Sequence, residues 1–221
     1  MAYVRSRRAI LPHAELRALS PAEQIMSMPA IRPRRWTTDE VERLVDEREG
    51  LSPRYELVDG ELLVTPAPTN RHQRLILDLA FILRDYLSRE RLGEVRLGPS
   101  RLELVLGERF EPDLFVVPTI GGTRRVFDEG SIRPLLICEV LSPGSSRHDR
   151  ITKRRAFQRN DVPDFWVIDG DALAFEIWHP GDERAVLVDD HVVWRPEGAA
   201  NALELDVRAF FAAAADDAPL P

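Results

Sequence analysis

Sulfur, lysine and long apolar runs are all scarce in this chain. Its 221 residues include one cysteine, Cys138, which excludes an intrachain disulfide and fits a reducing cytoplasm. No stretch approaches the roughly eighteen consecutive apolar residues that a membrane-spanning helix needs. The basic opening MAYVRSRRAILPHAEL is broken by Pro12, His13 and Glu15, so it does not read as a signal peptide. There is no Gly-rich phosphate loop leading into a helix, no Cys/His set at zinc spacing and no G-x-S-x-G elbow, which removes three common chemistries. Thirty basic against 37 acidic side chains give a net charge of −7, which is not the footprint of a protein that coats nucleic acid indiscriminately. Among those 30 basic residues Lys153 is the sole lysine.

The rest is ordinary for a globular protein, with 44% hydrophobic and 30% charged residues and room for one well-filled domain. Residues 1–35, rich in Arg, Pro and Ser, read as an arm that is loosely held or docked on a partner. Residues 36–215 read as a single domain, and 216–221 as a frayed tail.

The most informative stretch is RPLLICEVLSPGS, residues 133–145. Leu135 to Leu141 is almost continuously apolar, as in a strand buried on both faces, yet it carries Glu139. A buried carboxylate must be paired or bound. EPDLFVVP (111–118) repeats the pattern, with Asp113 at the mouth of another apolar run, and two acids at strand ends invite a divalent cation. Cys138, next to Glu139, points to the opposite face and reads as a packed core thiol. The helical run DRITKRRAFQRN (149–160) follows and holds Lys153. Arg is a planar fork that stays charged, whereas Lys is a compact ammonium whose pKa responds to burial, so a lone lysine in an Arg-rich chain points to chemistry that needs an amine. On that helix Asp149, Lys153, Ala156 and Phe157 share a face. Asp149 is either a partner for Lys153 or its water, or half of an ordinary i,i+4 pair. The basic strip Arg147, Arg150, Lys153, Arg154, Arg155, Arg159 is either a phosphate-binding face or a solvated one.

Before that core, Thr37 and Glu40 fit a capping box opening a helix with Val41, Leu44 and Val45 on one face. RYELVDGELLVTPAP (54–68) reads as two strands turned by Asp59-Gly60, with Glu56 and Glu61 either near a site or facing solvent. Thr69 or Asn70 caps a long helix whose inward face is His72, Leu75, Ile76, Leu79, Leu83 and Tyr86. Leu102, Leu104 and Leu106 alternate as in a strand. Residues 119–133 form a Gly-rich loop able to move over a site. VPDFWVIDGD is a further core strand, ALAFEIWHP and RAVLVDD pair, and ALELDVRAFFAAAAD closes with a strand and a short helix.

The ordered set PDLFVV, LLICEVLSPGS, DRITKRRAF and VPDFWVID resembles the Uma-two family of restriction-endonuclease-like proteins, within the PD-(D/E)XK nuclease superfamily, over roughly residues 36–210. The resemblance implies an α/β (α+β) fold: a mixed central β-sheet flanked by helices, here preceded by an N-terminal helix and β-hairpin. It implies a cytoplasmic Mg²⁺-dependent (or Mn²⁺-dependent) endonuclease acting on DNA, with a homodimer suited to cutting both strands. Asp113 and Glu139 would be catalytic and hold the metal, with the carbonyl of Val140 as a further ligand. The superfamily's lysine position, two residues after the acid, is Leu141 here, and Lys153 stands in from the next helix. Many members carry a Glu on the long helix where this chain has His72 and Gln73; His72 is then an accessory group or a satisfied core-edge histidine. Ser142 and Ser145 bond phosphate or simply build their turn. Arg147, Arg150 and Arg154 are the candidate nucleic-acid contacts. A nuclease fold that binds without cutting, or a dimeric scaffold with structural acids, are the alternatives.

Overall fold

The computed structural model describes residues 34–104, 107–120, 122–123, 133–142 and 144–215. The arm before residue 34, residues 121 and 124–132 of the expected loop 119–133, and the tail from 216 lie outside them. Helix α1 (Thr38–Asp46) opens with the capping box: the Glu40 N–H donates to Thr37 Oγ1 at 3.4 Å and the Thr37 N–H to Glu40 Oε2 at 3.0 Å. Strands β1 (Arg54–Val58) and β2 (Glu61–Thr65) form an antiparallel hairpin. Asp59 (φ 53) and Gly60 (φ 75) both sit in the left-handed region, which a two-residue hairpin turn requires. Helix α2 (Asn70–Glu90) is capped by Thr69, whose hydroxyl accepts from the His72 N–H at 3.2 Å.

The central sheet has six strands in the order β3-β4-β5-β6-β7-β8: β3 (Gly93–Leu97), β4 (Leu114–Pro118), β5 (Leu136–Val140), β6 (Phe165–Asp169), β7 (Ala174–Trp178) and β8 (Val186–Val188). All neighbouring pairs are antiparallel except β5 with β6. That parallel pair needs a crossover, supplied by a π-helical turn (His148–Lys153) running into α3 (Arg154–Arg159). A second hairpin, β9 (His191–Trp194) with β10 (Leu203–Asp206), and α4 (Val207–Ala213) complete the chain. The sheet is mixed and helices flank it. Among the described residues no helix is long and apolar enough to cross a membrane.

Alternation along the strands divides the core in two. Leu114, Val116, Leu136, Cys138, Trp166 and Ile168 face α2 and α4, whereas Phe115, Val117, Ile137, Phe165 and Val167 face α3. Phe157 of α3 is fully buried between Phe110 and Phe165, each ring centroid 5.0 Å away. By the same alternation Asp113 and Glu139 belong to the α3 side and Cys138 to the other.

Among the described residues one expected strand does not form. Leu102 and Leu104 are buried in the α3-side core, but residues 101–104 make only an isolated bridge, Leu102 to Phe110. Their alternation is satisfied by packing over Phe110 without a ladder partner; Leu106 lies outside the described residues. Strand β9, HVVW, was not expected. It is too short to show a pattern and is defined by its pairing with β10.

Candidate active site

The antiparallel register pairs Leu114 with Cys138, so the next residues outward, Asp113 and Glu139, stand opposite one another. They clasp each other's strand: the Val140 N–H donates to Asp113 Oδ2 at 2.9 Å, and the Asp113 N–H to Glu139 Oε2 at 3.3 Å. Gly98 makes this corner possible. Its N–H donates to the Asp113 carbonyl at 2.9 Å, and a Cβ there would fall 2.7 Å from the Pro112 carbonyl oxygen.

Lys153 reaches the same corner from the π-helical turn. Its Nζ lies 2.9 Å from Glu139 Oε1, 2.8 Å from Glu56 Oε2 and 3.2 Å from Asp149 Oδ1, and the side chain is only 2% exposed. The face shared by Asp149, Lys153, Ala156 and Phe157 is buried throughout, so Asp149–Lys153 is a buried contact and not a surface i,i+4 pair. Glu56 comes from β1, fully buried, and its Oε1 accepts from the Glu111 N–H at 2.8 Å. Its hairpin companion Glu61 is exposed and takes no part: it pairs with Val58 on the same face as Glu56, but at the turn end of the hairpin.

His72 arrives from the other layer, at the first turn of α2, with Nε2 3.0 Å from Asp113 Oδ2 and its buried Nδ1 without a hydrogen bond. Gln73, one position on, is exposed and takes no part. Arg54 was not anticipated: its Nη1 is 2.7 Å from Asp113 Oδ1 and 3.1 Å from the Glu111 carbonyl. The available signal was the strand period, since Arg54 lies two residues before Glu56 on the same face of β1.

Burial and neighbouring charge decide the protonation states. Burial raises the Asp113 carboxyl, but the His72 hydrogen bond and Arg54 overcome it and hold the group below the ordinary carboxylate range. Burial pushes Glu139 well up; Lys153 opposes this, while Asp113, Asp149 and Glu56 add to it. Asp149 is also raised, by burial more than Lys153 can offset. Burial disfavours the Lys153 ammonium, yet Glu139, Glu56 and Asp149 prevail and keep it charged well beyond the usual range. Arg54 is stabilised in the same way, Asp113, Glu139 and Glu56 outweighing its burial.

Asp113, Glu139, Glu56, Asp149 and Lys153 are each no more than 4% exposed. Beside them opens a cleft of about 580 Å³ lined by His72, Val140, Leu141, Ser142, Ser146 and Arg150 among others. Leu141 lines the cleft as well. Ser142 and Ser145 hydroxyls lie 3.0 Å apart in the turn after β5. Of the three arginines expected to meet nucleic acid, Arg147 alone is exposed. Arg150 is held by Glu176 and Asp169, both at 2.7 Å, and Arg154 lies over the Trp178 ring at 4.6 Å while donating to Gln158. Internal carboxylates and an aromatic face have absorbed two of the three charges.

A crystal structure of a "putative nuclease" from Anabaena variabilis ATCC 29413 shares this fold, at a TM-score of 0.65 and 21% identity, covering 81% of this chain and 99% of that one. No curated protein matches the chain. The profile of the Uma2 family, described as "Putative restriction endonuclease", matches residues 38–208, and the chain belongs to that family.

Proposed function

We propose that the protein is a Mg²⁺- or Mn²⁺-dependent endonuclease that hydrolyses DNA phosphodiester bonds at the corner formed by Asp113, Glu139 and Lys153. The observation that supports this most is the convergence of Glu139, Glu56 and Asp149 on one sealed ammonium beside Asp113. The buried acids Glu56, Asp113, Glu139 and Asp149 outnumber the cations that touch them, Lys153 and Arg54. A buried excess of negative charge is relieved by protonation or by a hard dication, and an oxygen-only donor set is the kind Mg²⁺ and Mn²⁺ prefer.

Among the described residues no cluster of three or more His, Cys, Asp or Glu is arranged as a metal site. Mg²⁺ requires only one or two carboxylates, completing its shell with water. Asp113 and Glu139 would hold it, with the Val140 carbonyl as the further donor the family resemblance implies. When bound, the ion polarises a phosphate oxygen and lowers the pKa of a water. A phosphodiester lying in the cleft meets His72 and the Ser142–Ser146 turn first. Lys153 would stabilise negative charge as it develops on the phosphorus oxygens, and Glu56 and Asp149 hold its ammonium against Glu139. Arg54 and His72 fix the Asp113 carboxylate, and a cation held by either of its oxygens would replace one of these contacts.

One observation favours a second reading, a nuclease fold with structural acids: both oxygens of Asp113 and of Glu139 already have protein partners. Incubation of supercoiled plasmid with wild-type, Lys153→Ala and Glu139→Gln proteins in Mg²⁺ or Mn²⁺ separates them. The first is expected to nick or linearise the DNA and the variants to leave it intact. No cleavage by wild type together with a thermal midpoint indifferent to either ion supports the scaffold.

A further inference from the structure

The outer edge of β3 carries features that the chemistry above does not use. β3 ends the sheet, and among the described residues no strand pairs with its outer side. Toward β4, the Leu92 carbonyl accepts from the Thr119 N–H and the Gly98 N–H donates to the Asp113 carbonyl, both at 2.9 Å. Even-numbered residues of this segment thus point their backbone groups at β4. Gly93, Val95 and Leu97 point theirs away from the sheet. An open edge of this kind is a template for a further strand.

The side chains specify which strand. Glu94 and Arg96 flank Val95 on one face, 3.9 Å apart and about a quarter to a third exposed. On the other face Leu97 (42% exposed) joins Phe81 (59%) and Leu77 (49%) of α2. With Val95, Ala80 and Arg84 these line a groove of about 740 Å³ between helix and strand. Edge strands normally carry charge to repel such pairing. Here the two charges have opposite sign and are symmetric about Val95.

We infer that two copies of this chain associate through β3, antiparallel, about a two-fold axis at Val95. In that register Val95 faces its own copy as a hydrogen-bonded pair, using the groups that point outward. Gly93 faces Leu97 of the second copy in the same way. Glu94 then stands opposite Arg96 at the closely spaced positions, twice by symmetry, and the two apolar grooves meet on the α2 side. The two six-stranded sheets become one continuous sheet.

Sedimentation velocity on the full chain over about 1–100 μM, the range in which interfaces of modest affinity populate, is expected to show a dimer. Glu94→Arg or Arg96→Glu alone places like charges opposite each other twice, and each is expected to raise the dissociation constant about tenfold. The exchange Glu94→Arg/Arg96→Glu restores opposite pairs and is expected to return it to within about threefold of wild type. Cysteines introduced as Glu94→Cys/Arg96→Cys are expected to cross-link two chains, since closely spaced antiparallel positions suit a disulfide and the native Cys138 is buried. A chain that is monomeric throughout overturns the inference, whether its own N-terminal arm or another protein fills the groove. A dimer indifferent to all three charge variants also overturns it.

Discussion

Lys153 is held by three carboxylates and is nearly sealed from solvent, so its removal tests the site without reference to catalysis. Lys153→Met leaves Glu56, Glu139 and Asp149 buried without their shared cation, and it is expected to lower stability by about 3–5 kcal/mol in urea denaturation near neutral pH. Adding Glu139→Gln to that background removes one of the stranded charges and is expected to recover part of the loss. A cost below about 1 kcal/mol for Lys153→Met would mean that the acids do not depend on the ammonium. Composition made this residue visible: one amine among thirty basic side chains marks its own position. Arg54 had no such mark, because it is one arginine among many, and only the register of β1 against Glu111 and Asp113 shows its use. Glu56 and Glu61 looked alike in the sequence and share one face of the hairpin, and which of them is buried was settled by the residue 111–113 segment crossing the middle of β1 and not its turn, a long-range property.

At the scale of elements, the turn that delivers Lys153 is π-helical, and its six residues widen the helix just where Asp149 and Lys153 must both face inward. Nothing in HDRITK announces this, since an i,i+5 turn has no side-chain signature and is adopted where packing demands it. The face it presents was legible, because the Phe157 anchor continues the same stripe. Phe157→Ala is expected to cost about 3–5 kcal/mol in chemical denaturation, and Phe157→Leu clearly less. If the first cost little, α3 would not be what fixes the lysine turn against the sheet. Helices α1 and α2 were legible to within a residue at their starts because Thr37 and Thr69 cap them chemically. The alternation at 102–106 misled because an apolar period records burial, and burial does not require a neighbouring strand.

For the whole molecule, the buried acids set how stability follows pH. Asp113 is depressed in the folded state, so its contribution is present above the ordinary carboxylate pKa and is lost as pH falls through its folded value. Glu139 and Asp149 are raised, so the folded chain keeps protons that the unfolded chain has released, and stability declines as pH climbs from about 4 toward their folded values. Lys153 is raised as well; its share is complete below about pH 10 and is lost only as pH passes its folded value. Wild type is therefore expected to be most stable on the acid side of neutrality. Glu139→Gln, which cannot ionise, is expected to flatten the decline between about pH 5 and 8. Urea midpoints across that range check this, and a wild-type midpoint that rises steadily from pH 5 to 8 would show that the corner does not govern the molecule's response.

The sole amine-bearing side chain lies inside that corner, and the outer shell of this protein draws its positive charge from guanidinium groups, which resist acylation and keep their protons in strong base. Reagents or enzymes that silence lysines elsewhere therefore find no lysine target on this chain's exterior, and any acyl group they attach to a lysine must have entered the site itself.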